Sequence, residues 1–319
     1  MSRAVGLALG WFVDQLVGDP RRWHPVGGFG SVATRLEKHT YAQRRSRGVV
    51  HVVVLAGGAS ALGVVAERTS GRHGLAHTLV TAAATWAVLG GRSLAREAAI
   101  IDGQLRADDL AAARLQVQNL VGRKTSALDA DEVARACVES LAENTSDAVV
   151  APLVWGATFG VPGLLGYRAV NTLDAMIGHR SERYAEFGWC AARLDDIVNW
   201  APARLSGILA LALSPGVGQG GIREGLSAIR RDAPAHPSPN GGVVEAAFAG
   251  VLGVSLGGTN LYDGGAENRG RLGRGRPAGV AAIEPATRLA RRVSSAALAL
   301  AATASFGLGR ARGRRERRG

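Results

Sequence analysis

Six stretches of this chain, residues 49–66, 74–91, 148–167, 205–222, 246–262 and 293–309, run for 17 to 20 positions without Asp, Glu, Lys or Arg. As helices rising about 1.5 Å per residue, each is roughly long enough for a bilayer core of about 30 Å. Residues 4–13 add a shorter, marginal apolar element that lacks the small-residue cleavage pattern of a secretory signal. Much of the apolar content is Ala and Gly, and small residues let membrane helices approach closely. The pattern predicts an all-α fold, a polytopic integral membrane helical bundle with polar helical loops and re-entrant segments. It is read as a single embedded domain over residues 1–319, with a basic, disordered tail at 310–319.

Between these stretches the periodicity changes. Asp129 and Glu132 make a capping-box start, and Val133, Cys137 and Leu141 recur every four residues, so a helix is expected to end near Asn144. That helix would deliver the string ENTSD, residues 143–147, to the mouth of the next apolar stretch. Pro152 and Pro162 favour a broken segment across 148–167, which keeps the polar groups on its two flanks in one compartment. The string RRDAPAHPSPNGG within residues 223–245 holds three prolines and closes on Asn-Gly-Gly, which forbids a continuous helix and favours an ordered loop. Residues 263–292 are rich in Gly and Arg and read as poorly ordered or variable. No internal repeat or interior linker separates domains.

Charge refines this picture more than composition does. An apolar share of 47% is ordinary, and a mean hydropathy of +0.07 is low for a polytopic protein. The net charge of +12 collects in flanks: RARGRRERRG at the end of the chain holds six Arg and one Glu, and residues 35–47 are also strongly basic. No nucleic-acid module accompanies either cluster, so no nucleic-acid partner is expected. Both are read as cytoplasmic anchors under the positive-inside rule, which places the C-terminal tail inside the cell. Cys137 and Cys190 show neither CxxC spacing nor a disulfide framework and read as packing residues.

The residues suited to chemistry are spaced for shared helix faces. Glu143 and Asp147 are four apart, Asn144 and Asp147 three apart, Asn171 and Asp174 three apart, and Arg193, Asp196 and Asn199 follow a spacing of three. Carboxylate and amide oxygens grouped in this way suit a hard cation such as Mg²⁺, which keeps some waters and bridges to phosphates. Arg231, Asp232, His236, Ser238 and Asn240, with Arg230 alongside, form a second group on the Pro-rich segment. Asp19, Arg21, Arg22 and His24 offer the same repertoire in GDPRRWHPVGGFG. Helix caps, interhelical hydrogen bonds and a solvated loop explain any one of these groups without chemistry. GxxxxGK[ST], HExxH and GxSxG are absent, and the GxGxxG spacing of Gly216, Gly218 and Gly221 ends an apolar run where a nucleotide site would need a strand and a helix.

Long strings here resemble the cobalamin biosynthesis proteins CobD/CbiB, the adenosylcobinamide-phosphate synthases. They are GDPRRWHPV at 18–26, GRKTSALDADEVARACVESLAENTSDAVVAPL at 122–153, YRAVNTLDAMIGHRSERYAEFGWCAARLDDIVNWAPARL at 167–205 and RDAPAHPSPNGGVVEAAFAGVLGVSLGG at 231–258. The chain departs from the family pattern in having Ala148 where Gly is usual and Ala175 where Ser is frequent, and it diverges after Leu261. The resemblance implies a multi-pass enzyme of the cell membrane that joins (R)-1-amino-2-propanol O-phosphate, or free aminopropanol, to adenosylcobyric acid with ATP and Mg²⁺. It also implies contact with other late cobalamin-pathway enzymes.

Fitted to that reaction, Glu143, Asp147, Asp174 and His236 are the expected catalytic residues. Asp147, Asp195 and Asp196 are the expected metal ligands. Asp19, His24, Asn144, Asn171, Arg193, Asn199, Arg204, Arg231, Ser238 and Asn240 are expected to hold substrate or phosphate. All are expected to converge on one cation-and-phosphate pocket. Two other readings fit the same residue types: a Mg²⁺-dependent membrane prenyl or phospho-alcohol transferase, and a noncatalytic regulatory membrane relative.

Overall fold

The computed structural model describes the chain except for residues 21–23, 72, 180, 263–264 and 317–319, so Arg21 and Arg22 of the N-terminal motif lie outside the described residues. Among the described residues the helices are α1 Ser2–Val17, α2 Pro25–Thr40, α3 Arg45–Ser70, α4 Gly74–Val88, α5 Gly91–Arg106, α6 Leu110–Val117, α7 Ala130–Thr145, α8 Ala151–Phe159, α9 Val161–Leu173, α10 Trp189–Val198, α11 Trp200–Ala212, α12 Ile222–Asp232, α13 Gly241–Leu252 and α14 Ile283–Glu316. Single π-helical turns, Ser146–Val150 and Asp174–Gly178, follow α7 and α9, and a 3-10 turn, Ala233–Ala235, follows α12. Strands β1 Val254–Tyr262, β2 Gly265–Leu272 and β3 Arg276–Pro277 lie between α13 and α14.

Local chemistry sets many of these boundaries. The expected capping box starts α7, with the Glu132 N–H donating to Asp129 Oδ1 at 2.8 Å and the Asp129 N–H to Glu132 Oε2 at 3.0 Å. Helix α2 begins on His24, whose Nδ1 accepts the Val26 N–H at 3.1 Å, with Pro25 in the first turn, where its missing N–H costs no hydrogen bond. The break expected within 148–167 falls at Gly160, whose φ of 74° lies in the left-handed region that favours glycine and divides α8 from α9.

Two apolar stretches fold otherwise than expected. Residues 246–262 are no membrane helix: α13 has 12 residues, about 18 Å of rise, and β1 follows it. Residues 205–222 end their helix at Ala212 and continue as turns through Ser214 and Pro215. Among the described residues one helix, α3, is long and apolar enough to cross a bilayer, and 28% of its apolar window is buried. The segment read as poorly ordered at 263–292 contains β2, β3 and the start of α14. Helix α14 continues to Glu316, into the basic run at the end of the chain.

The chain forms two compact units. Unit 1 comprises Met1–Gly90, Ala151–Asn199 and Ala297–Gly319; unit 2 comprises Gly91–Val150 and Trp200–Ala296. In unit 1, α1 lies on α4 and α3 on α9. A Cβ built on Gly6 would stand 2.6 Å from Thr81 Cβ, and one on Gly10 would stand 2.5 Å from Thr85 Cβ, so this pair spaced by four brings two backbones together. The Thr78, Thr81 and Thr85 hydroxyls turn back onto carbonyls one turn earlier, each at 2.8 Å, so polar atoms are satisfied inside α4. Phe187, Leu173, Ile177 and Val52 form a buried core. Large apolar side chains of α1 and α3 remain exposed, among them Phe12, Leu16, Val53 and Leu62.

Unit 2 is built around α7 and α13, both buried along most of their length. Its sheet has the order β2-β1-β3, with β1 antiparallel to β2 and parallel to β3. Leu256 pairs with Leu272, both buried, and a bulge follows between Gly257 and Thr259. Side chains of α7 satisfy that bulge: Glu139 Oε1 accepts the Gly257 N–H at 2.8 Å, and Arg135 donates to the Gly257 carbonyl.

Candidate active site

In unit 2 the face of α7 that carries Glu139 and Glu143 meets the Pro-rich turn and the start of α13. Glu139 is almost wholly enclosed and holds Arg123 Nη1 at 2.9 Å and Arg135 Nη1 at 3.3 Å. His236 Nδ1 lies 3.1 Å from the Ser238 nitrogen and 3.0 Å from its carbonyl oxygen, so the Ser238 backbone anchors the ring in either tautomer. His236 Nε2 faces Glu245 Oε1 at 3.5 Å, and Arg269 Nη2 reaches the same oxygen at 3.4 Å. The first contact is close enough for an ion pair but makes no hydrogen bond, and Glu245 Oε2 is likewise buried without one.

Glu143 points to the same place. A Cβ on Gly241 would lie 3.3 Å from Ser238 Oγ, 3.4 Å from Glu245 Oε1 and 3.5 Å from Glu143 Oε1. The absent side chain at 241 therefore leaves a space bordered by two carboxylates and a hydroxyl. Ser238 Oγ also accepts the Gly241 N–H at 3.0 Å, which fixes the start of α13. Asn240 Oδ1 accepts from Arg204 Nη1 at 2.6 Å and the Pro239 carbonyl from Arg204 Nη2 at 3.2 Å, while the guanidinium lies 4.8 Å from the centroid of the Trp200 ring. Burial lowers the pKa of His236, with Arg269 adding to the effect, and burial raises that of Glu245 well above the ordinary carboxylate range. Both groups therefore favour their neutral forms.

The remaining candidates in unit 2 stand in different surroundings. Asp147 is half-buried in the π turn after α7, a local irregularity frequent at functional positions. Asn144 donates back to the Ser140 carbonyl and hydroxyl, each at 3.0 Å, and so serves its own helix. Arg231 is exposed and forked onto Asp232 at 2.6 and 2.7 Å, beside a shallow depression lined by Arg223, Leu226, Ser227 and Arg230. The Gly216, Gly218 and Gly221 string forms a turn packed on the end of α13, where a Cβ at Gly218 would meet Leu252 Cα at 2.6 Å. Cys137 is buried, which pushes its thiol up to about 12 and leaves it a packing residue.

Unit 1 carries the other set. Asn171 Nδ2 approaches Asp195 Oδ1 at 3.4 Å, and Arg168 Nη1 approaches Asn171 Oδ1 at 3.3 Å. The Tyr167 hydroxyl donates to Asn199 Oδ1 at 2.8 Å inside the core. Arg193 reaches Asp196 at 3.5 Å; burial raises the pKa of Asp196, and Arg193 offsets part of that rise. Asp174 opens the second π turn. His24 Nε2 stands 3.1 Å from Asp19 Oδ1, which ties the cap of α2 to the segment just after α1.

Glu143, His236, Ser238, Asn240 and Arg204 are thus brought together within unit 2, while Asn171, Asp195, Asp196, Arg193, Asn199 and Asp174 belong to unit 1. Among the described residues, no three His, Cys, Asp or Glu side chains form a metal-holding group, so the residues do not fit a cation cage built by protein alone.

A family model described as CobD/Cbib protein matches residues 7–290. The chain belongs to the CobD/CbiB family. It is 49% identical over 300 residues to the cobalamin biosynthesis protein CobD of Mycobacterium tuberculosis, covering 94% of this chain and 95% of the relative. The CobD protein of Chromobacterium violaceum is 40% identical over 314 residues, with 96% and 99% covered, and that of Rhodobacter capsulatus is 44% identical over 263 residues, with 81% and 80% covered. No solved structure matches.

Within this CobD/CbiB chain the sequence reading missed Arg123, Glu139, Glu245 and Arg269. Glu139 was in view, one turn before Glu143 on the same face of α7. Glu245 stands alone at the edge of an apolar stretch, and only the fold places it opposite His236.

Proposed function

We propose that this protein is an adenosylcobinamide-phosphate synthase of cobalamin biosynthesis, forming the amide between adenosylcobyric acid and (R)-1-amino-2-propanol O-phosphate or free aminopropanol. The observation that carries this reading is the family match along residues 7–290, which takes in every candidate site residue. Glu143, half-buried beside the enclosed His236 and Glu245, supports it, because amide formation needs a proton acceptor. A carboxylate becomes an acyl donor when its oxygen displaces ADP from the γ-phosphoryl group of ATP, giving an acyl phosphate. The amine then attacks the carbonyl carbon and phosphate leaves. An ammonium must lose one proton to become a nucleophile and a second as the amide forms. Glu143 takes the first, and the departing phosphate carries off the second.

Arg204, oriented by Asn240 and Pro239, is assigned to a phosphate or propionate, which a planar guanidinium holds through paired hydrogen bonds. Arg231 in unit 2, and separately Arg193 and Asn171 in unit 1, are assigned to anionic groups of the substrates, whereas Asn199 is taken up by Tyr167 in the core; Asp147 of unit 2 and Asp174, Asp195 and Asp196 of unit 1 are assigned, each within its own unit, to contacts with phosphate-borne Mg²⁺. Mg²⁺, arriving on the nucleotide, would neutralise phosphate charge. The exposed apolar helices of unit 1 are assigned to the lipid of the cell membrane, with the C-terminal tail in the cytoplasm.

Complementation tests the reading. The chain is expected to restore cobalamin synthesis to a cell lacking the synthase, and added cobinamide should rescue the same cell without it. Failure to complement despite normal protein level in the membrane would contradict the assignment. Activity that depends on a lipid diphosphate in place of ATP would favour the transferase reading.

A further inference from the structure

Glu245 lies one turn inside α13, its side chain fully buried beside the equally enclosed ring of His236. Its Oε1 faces two nitrogens, His236 Nε2 and Arg269 Nη2, so three parts of the fold, the Pro-rich turn, α13 and β2, meet at one oxygen. Beyond His236, the Ser238 backbone holds Nδ1, Ser238 Oγ borders the space facing Glu143, and Asn240 holds Arg204. The charged groups that bear on Glu245 from neighbouring elements are Arg269, Glu143, Glu139 and Arg123. The enclosed ring leaves His236 no surface to offer a substrate; it acts on what the turn presents.

We propose that Glu245 is a positioning residue for the ligation: its Oε1 fixes His236, and His236 fixes the 236–240 turn that sets Ser238 against Glu143 and Asn240 against Arg204. Packing of the carboxyl against the enclosed His236 ring, 3.5 Å away, and the hydrogen bond that Oε1 accepts from Arg269 Nη2 carry this role, with no requirement for negative charge. The inference rests on the ligase reading above.

The test is steady-state kinetics of the full-length protein in lipid nanodiscs with ATP, Mg²⁺, adenosylcobyric acid and aminopropanol phosphate, with membrane level and melting temperature measured for each variant. Glu245→Gln keeps an oxygen facing His236 and Arg269, and its kcat/KM is expected within about threefold of wild type. Glu245→Asp keeps the charge but withdraws the oxygen by one methylene, and is expected to be the worse of the two. Glu245→Ala and His236→Ala are each expected to lose about 10- to 100-fold, chiefly as a raised KM for the phosphorylated amine, as outer-shell partners do elsewhere. The double variant should lose no more than the worse single one. Glu245→Asp near wild type with Glu245→Gln impaired overturns the proposal, and this pair decides even if the Ala variants fold poorly. Full additivity, or wild-type kinetics in Glu245→Ala, also overturns it. A wild-type protein that forms no product overturns the ligase reading, and this proposal with it, whereas an active wild type with the wrong variant order overturns the proposal alone.

Discussion

Helix α3 of unit 1 turns Val53, Val54, Leu62 and Val65 outward, each more than half exposed, whereas in α13 of unit 2 every residue except Val243 is buried. The polar groups are arranged the other way round. Threonines of α4 bond within their own helix, and glycines of α1 bring apolar surfaces together. In unit 2, Glu139, Glu245, Arg123 and His236 are enclosed and answer one another. Unit 1 therefore turns an apolar face of α3 outward and encloses scattered polar groups such as Asp14, Glu37 and His51, whereas unit 2, which also exposes Leu115 and Ile208, encloses a connected set of charged groups. An enclosed charge is costly to strand, so the units should respond differently to substitution.

The largest effect is expected at the Arg123–Glu139 pair. Glu139→Ala leaves Arg123 enclosed without its carboxylate, at a cost of about 3–5 kcal/mol, and limited proteolysis should show unit 2 opened. Next come Val53→Lys and Leu62→Lys. If α3 faces lipid, each costs about 2.5–3.5 kcal/mol and reduces the washed-membrane fraction. Leu115→Lys in unit 2, equally exposed, should change stability by no more than about 0.5 kcal/mol. Equal responses at the three positions would erase the contrast. Gly10→Val should loosen α1 from α4 at about 1–3 kcal/mol, read as faster cysteine labelling at Thr85→Cys.

The smallest effect is a pH dependence. A carboxyl raised by burial stabilises the fold fully below its unfolded value of 4.5 and loses that contribution as pH rises through its folded value. His236, lowered by burial, acts in the opposite sense: its contribution is present above 6.5 and is lost as pH falls below that. Glu245→Gln should remove the first dependence and keep the second, so its melting temperature should hold up better than wild type as pH rises above 4.5. An unchanged profile would show that Glu245 titrates as an exposed carboxyl.

Features set by local chemistry were legible in the sequence. The Asp129–Glu132 box, the stripe of Val133, Cys137 and Leu141, and the prolines before α13 each act within a few residues, and each falls where the spacing placed it. Residues 246–262 misled because absence of charge marks burial without saying by which element. Gly253, at φ 74°, ends α13, and the strand that follows is covered by α7 and α13, as lipid covers a membrane helix. Of the candidate site, Glu143, His236, Ser238 and Asn240 were singled out from spacing and residue type, and Arg204 through the family resemblance; the structure places these five in unit 2. Arg123, Arg269 and Glu245 were not, because each has its partner more than eight positions away or on another element.

The most direct test of the account is the rate of adenosylcobinamide phosphate formation by Glu143→Gln in lipid nanodiscs, beside wild type. The account predicts a fall of about 100-fold or more, with membrane level and melting temperature unchanged, because the amine loses its proton acceptor. A wild-type rate in that variant would contradict the assignment of the proton transfer to Glu143 in unit 2.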